Sequence, residues 1–145
     1  MVQRANKKLW CLRRLKKFGS STNDLFDVYI KQILSILEFA VAVWHPGLTI
    51  EDRLKIERVQ KSALCIILGQ QYKSYRSALS TLQIDSLFSR RNRMCNLFAN
   101  KALKHSKLEK WFKPNTTNTV TRAKPTKLCD VYCRTERFKR STISF

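Results

Sequence analysis

Few side chains in this sequence have the type and spacing that catalysis or metal binding requires. His45 and His105 are its only histidines, and sixty residues separate them. His45 precedes Pro46 at a helix end and reads as a capping or surface residue; His105 starts a new turn and reads the same way. Cys129 and Cys133 have the separation of half a zinc knuckle, but no second close pair completes a tetrahedral set. Five cysteines, an odd number widely spread, fit reduced thiols better than a disulfide framework. Glu51-Asp52 is the only adjacent acidic pair, and a helix start accounts for it. No glycine-rich phosphate loop, nucleophile elbow or HExxH signature is present. No catalytic residue, cofactor or metal site is therefore expected, and the chain is not expected to be an enzyme on its own.

The chemistry that remains is that of cations. The 145 residues carry 29 Lys+Arg against 10 Asp+Glu, a formal net charge of +19 that suits a polyanionic partner. The excess is uneven: +7 over residues 1–20, −1 over 21–70, +8 over 71–113 and +5 over 114–145. A uniformly solubilising surface would have left the centre basic too. A charge-balanced apolar centre with basic flanks reads instead as a core carrying a binding surface. Apolar residues make up 43%, too many for a disordered basic tail.

Three glycines and three prolines leave little punctuation for a many-stranded sheet, so the expected fold is all-α: a single bundle of about five helices. The first helix spans about Gln3 to Lys17 and stops at Gly19. At 100° per residue Ala5, Leu9, Leu12 and Leu15 share its core side. Lys7, Trp10, Arg13, Arg14 and Lys17 share the other. There Trp10 either packs on another helix under the cation stems or lies against a nucleic acid whose phosphates those cations hold. Ser21 and Asp24 form a capping pair opening a second helix to about Trp44. Its apolar length invites a transmembrane reading, but Asp27, Lys31, Ser35 and Glu38 fall on one stripe. Each central charge would cost about 2.5–3.5 kcal/mol in lipid, so a buried central helix is expected and no membrane span.

Thr49 and Asp52 open a third helix to Leu68, closed by Gly69, with Ile56, Val59, Ala63, Ile66 and Ile67 inward. Glu51–Lys55 and Glu57–Lys61 have i,i+4 spacing on its wet face. A short helix comes next, from Tyr75 to Leu82. Asp85 then caps a fifth to about Lys104, with Leu87, Met94, Phe98 and Ala102 inward and Arg90, Arg93, Lys101 and Lys104 on a second basic face. Arg91 falls on the apolar side of that helix. A buried guanidinium needs an acceptor, and Glu38 on the polar stripe of the second helix is the expected ion-pair partner, Asp27 the second choice. The alternative is that Arg91 snorkels to solvent. A last turn at Leu108–Phe112 closes a domain over 1–113. Residues 114–127 read as a linker and 128–145 as a short, poorly ordered basic segment.

These residues also carry a resemblance. Ala5-Asn6-Lys7-Lys8-Leu9 through Leu12-Arg13-Arg14-Leu15-Lys16-Lys17-Phe18-Gly19 resembles the start of the segment after the polymerase palm in reverse transcriptases of non-LTR (LINE-type) retrotransposons. Tyr29, Leu37-Glu38-Phe39-Ala40 and Val43-Trp44-His45-Pro46-Gly47 are similar to that family's tyrosine and its "L-E-Y-A…V-W" run. Ile56-Glu57-Arg58-Val59-Gln60-Lys61-Ser62-Ala63 is similar to its "I-E-x-V-Q-K-x-A" helix. Tyr75, Ala78-Leu79, Leu87 and Arg90-Arg91 come next in the same order, and Arg134-Thr135-Glu136-Arg137-Phe138 resembles the tail motif. The likeness covers residues 4–113 well and 128–143 thinly.

The resemblance implies a helical thumb and connector that grips the template–primer duplex, and a non-catalytic fragment of an RNA-directed DNA polymerase whose palm aspartates would lie before Met1. The expected partner is RNA–DNA hybrid or duplex nucleic acid, bound without sequence preference, with a polymerase palm as a possible partner in the parent polyprotein. An acidic protein bound by a helical interaction domain is the competing expectation. Met1 to Lys17 has no apolar signal region, so the expected location is nuclear or cytoplasmic, not secreted.

Overall fold

The structure, a computed structural model, describes residues 1–107, and every regular element among them is helical. The expected closing turn at Leu108–Phe112, the 114–127 linker and the 128–145 segment lie outside the described residues. Helix α1 runs Val2–Lys17 and buries Ala5, Leu9 and Leu12. Its end is a left-handed cap. Gly19 sits at φ +82°, Gly19 N–H donates to the Lys16 carbonyl (3.0 Å) and Ser20 N–H to that of Leu15 (3.2 Å). This hydrogen-bond pair closes a helix only where the next residue tolerates positive φ.

Ser21 caps α2 (Thr22–Val28), accepting from Asp24 N–H at 3.2 Å. The expected unbroken helix to Trp44 does not form. Residues Tyr29–Leu34 make a π turn, α3 (Ser35–Glu38) comes after it, and the chain breaks at Phe39 and Ala40 before α4 (Val41–Trp44). The cause lies in the apolar spacing. Leu25, Tyr29, Ile33, Leu37 and Val41 are all buried and recur every four residues. An α-helix with 3.6 residues per turn slips about 40° at each such step. A wider i→i+5 turn absorbs the slip and keeps the stripe on the core. Ser35 Oγ donates to the Lys31 carbonyl at 2.7 Å beside it.

At the break Ala40 takes φ +50°, a conformation that costs a non-glycine residue roughly 1–2 kcal/mol. The Trp44 indole N–H donates to the Phe39 carbonyl at 2.6 Å, satisfying a group the helix has released. The segment is also less buried than expected, with Phe39 78% and Val43 83% exposed. Asp27, Lys31 and Ser35 do lie on the wet side.

Helix α5 (Ile50–Leu68) keeps closely to its reading. Thr49 caps it, accepting from Asp52 N–H at 3.2 Å, and Gly69 ends it at φ +55°. It buries Ile56, Val59, Gln60, Ala63, Leu64 and Ile67 and forms the centre on which α1, α2, α6 and α7 pack. Ser74 caps α6 (Tyr75–Thr81). Ser86, not Asp85, caps α7 (Leu87–Leu103), accepting from Ser89 N–H at 3.2 Å. The inward side of α7 is Leu87, Arg91, Cys95 and Ala102 rather than the expected Met94 and Phe98, and Phe98 is 48% exposed. His45, expected at the surface, is buried. Its Nε2–H donates to Asn92 Oδ1 at 2.8 Å, and its ring meets the Phe88 edge at 5.9 Å.

Candidate nucleic-acid interface

Seven cations and no acid lie in residues 1–20, so α1 brings no carboxylate of its own to its outer face. With Ala5, Leu9 and Leu12 against α5 and the π turn, helical geometry leaves positions 7, 10, 13, 14 and 17 outside. Lys7, Arg13, Arg14 and Lys17 are all exposed, and none pairs with a carboxylate among the described residues. Trp10 is 58% exposed, so it does not pack on another helix; the Arg14 guanidinium lies over its ring, 5.1 Å from the centroid. A large indole in water among four unmatched charges is a surface poised to meet something.

Two further residues of this region escaped the sequence reading. Lys16 turns away from the cationic face and donates to the Ile66 carbonyl and, at 3.1 Å, to that of Ile67, satisfying the last turn of α5 where negative dipole ends collect. Phe18, at the end of α1, is 80% exposed. Its place two turns beyond Trp10 could have been read from helical spacing; the role of Lys16 depends on a helix end fifty residues away.

Comparisons with protein-family models, curated proteins and solved structures find no match. What this surface does must come from its own geometry and from that of the second basic helix.

On α7 the cations are largely spoken for. Glu38 was expected to meet Arg91. It meets Arg90 instead, through Nε at 2.5 Å and Nη2 at 3.1 Å, a two-pronged pair with both side chains mostly buried. Side chains one residue apart on a helix diverge by about 100°, so only one of the two arginines can face α3. Arg91 faces α5, fully buried, with Glu57 Oε2 the nearest carboxylate oxygen at 3.7 Å. Burial lowers the pKa of Arg91, while the hydrogen bond to Glu38 raises that of Arg90. Arg93 pairs with Asp85 at 3.1 Å at the surface. Only Lys101 and Lys104 of the second basic face are exposed without an acidic partner among the described residues. Helices α1 and α7 both dock on α5.

Around Arg91 a polar junction ties three helices. The Tyr75 hydroxyl lies 2.6 Å from Glu57 Oε1 and 2.8 Å from Gln60 Oε1, and its proton favours the charged acceptor. Burial, then the hydrogen bond to Glu57, raises the Tyr75 hydroxyl above the ordinary phenol range. The wholly buried Gln60 accepts from Leu87 N–H at 2.9 Å and donates to the Asp85 carbonyl at 3.1 Å, so α5 caps the start of α7. Tyr29 sits close by, its hydroxyl raised by burial and then by the Glu38 carboxylate. Glu57 is thus an inward anchor, not the outer partner of Lys61 that its spacing suggested; at the start of α5, Lys55 pairs with Asp52 at 3.3 Å rather than with Glu51. No cluster of three or more His, Cys, Asp or Glu able to hold a metal occurs among the described residues, nor any helix long and apolar enough to cross a membrane.

Proposed function

We propose that the bundle is a non-catalytic nucleic-acid-binding module, like the thumb and connector of a non-LTR retrotransposon reverse transcriptase. In this reading it grips RNA–DNA hybrid or duplex by its phosphates, in the nucleus or cytoplasm, beside a polymerase palm. The observation that carries this reading is the unmatched set Lys7, Arg13, Arg14 and Lys17 on a helix pinned along its other side. Lys101 and Lys104 add to it from α7. Each phosphate contact contributes about 0.9 to the slope of log K against log salt. Four to six such contacts therefore give an expected slope of about −3.6 to −5.4 for a blunt duplex, measured by fluorescence anisotropy. A slope shallower than about −2, or no binding at low salt, rejects the reading.

A second reading, an interaction domain for an acidic protein, draws on the exposed Phe39 and Val43. Beside them lies a cleft of about 610 Å³ lined by Arg4, Ile36, Phe39 and Trp44. An acidic peptide of equal charge that outcompetes the duplex would favour it.

A further inference from the structure

Resting on the nucleic-acid reading, we infer that the outer face of α1 takes an unpaired strand, with Trp10 and Phe18 as stacking platforms for its bases and the cations between them as its phosphate clamps. A blunt duplex offers an exposed aromatic ring no base face except at its ends, because each base is already stacked on its neighbours. Phosphates alone would need only the cations. Yet α1 and its cap hold just two aromatic side chains and expose both, Trp10 at 58% and Phe18 at 80%.

Their placement fits a strand. Eight residues at 1.5 Å per residue set Trp10 and Phe18 about 12 Å apart along the helix and roughly 80° apart around it. Arg13, Arg14 and Lys17 fall between them, and Lys7 extends the row by one turn. At about 3.4 Å per nucleotide in a stacked strand, 12 Å corresponds to three or four phosphates, against three cations within that span and Lys7 just beyond it. Arg14 already lies against the indole, so it is placed both to stack and to meet a phosphate next to a base seated on Trp10.

The platform is also rigid. Ala5, Leu9 and Leu12 are buried beneath it, Lys16 ties α1 to the end of α5, and the left-handed cap at Gly19 holds Phe18 at a fixed helix end. Aromatic anchors on a pinned helix lose little freedom when a base docks. The residues around Trp10 on this face, Asn6, Lys7, Arg13 and Arg14, are polar and exposed, which suits a charged strand better than the apolar core of a protein interface.

The test compares a twelve-nucleotide single strand with a blunt duplex carrying the same number of phosphates, using the full chain and fluorescence anisotropy. In the wild type the single strand quenches tryptophan emission, and Trp10→Phe loses most of that quench. Trp10→Ala lowers the ratio of single-strand to duplex affinity roughly 5- to 100-fold, Phe18→Ala less, and Trp10→Phe retains most of the ratio. A ratio that moves less than twofold in both alanine variants overturns the stacking role while leaving phosphate gripping intact. If replacing Lys7, Arg13, Arg14 and Lys17 with Gln leaves binding to both probes at the wild-type level, the nucleic-acid reading itself fails. Preference for an acidic peptide, lost on Trp10→Ala, would assign the face to a protein instead. All substituted side chains are exposed, so circular dichroism should show unchanged helicity in every variant.

Discussion

Helices α1 and α7 both carry basic residues, seven in α1 and four in α7, and use them in opposite ways. On α1 the charges stand unmatched around an exposed aromatic ring. On α7 Arg90, Arg91 and Arg93 meet Glu38, Glu57 and Asp85, at separations from 2.5 to 3.7 Å. The difference comes from where the acids lie. None precedes residue 21, and among the described residues Glu38, Glu57 and Asp85 engage the arginines of α7 while no acid pairs with a cation of α1. A count of cations therefore does not measure binding capacity. What matters is how many cations the fold leaves without an acid.

The comparison breaks most easily at Glu57. Glu57→Ala strands a fully buried guanidinium and removes one of the two acceptors of the Tyr75 hydroxyl, and unfolding in urea should show a loss of about 3–5 kcal/mol. Arg91→Met in the same background should restore much of it, because an apolar pair of similar volume is often as stable as a buried ion pair. If Glu57→Ala is neutral, Arg91 is not anchored as described. Next comes Arg90→Ala, which removes a two-pronged charged hydrogen bond between α7 and α3. A stability loss of about 1.5–3 kcal/mol is expected, against a change of less than twofold in duplex affinity. A large affinity loss at unchanged stability would extend the proposed contact of α1 to the Arg90 side of α7.

The smallest effect is on pH dependence, at His45. Burial holds its pKa below the ordinary imidazole value, and the hydrogen bond to Asn92 only partly offsets this. A second proton would go to the buried, unpartnered Nδ1, with Arg91 and Arg53 nearby. The unfolded chain therefore binds that proton more readily than the folded one. The His45 contribution to stability should be unchanged above about pH 6.5 and turn unfavourable as pH drops through that value. His45→Gln should flatten this fall in a series of melting curves, whereas α1 variants should leave it intact.

The sequence disclosed the bundle and the outer face of α1 for local reasons. Thr49 with Asp52, Ser21 with Asp24, and Gly19 and Gly69 mark ends within one turn of themselves, and a 3.6-residue period sorts Leu9 from Trp10. The Arg91 partner was misread because the choice between Glu38 and Glu57 depends on how α7 is rotated against α3 and α5. That rotation is set by Leu87, Cys95 and Ala102 packing inward, while Phe98, read as core from its type, stays wet. His45 was misjudged for a similar reason: its shelter comes from Phe88 and Asn92, more than forty residues further on. The break at Ala40 has no glycine or proline to announce it. The recurrence of Leu25, Tyr29, Ile33 and Leu37 every four residues was a local sign of the wide turn, visible once the spacing is measured against 3.6.

That wide turn also decides where the chain can change length. A π turn is an α-helix holding one surplus residue, accommodated without rotating the helical turns on its C-terminal side. Deleting an exposed residue within Tyr29–Leu34, such as Gln32, would let the turn relax to ordinary pitch, with Leu37 still facing the core and Glu38 still within reach of Arg90. The same deletion in the middle of α5 would rotate half of its inward stripe by about 100° and scatter the core. Loss of a single residue is therefore tolerable at this turn, and costs less there than in the middle of α5.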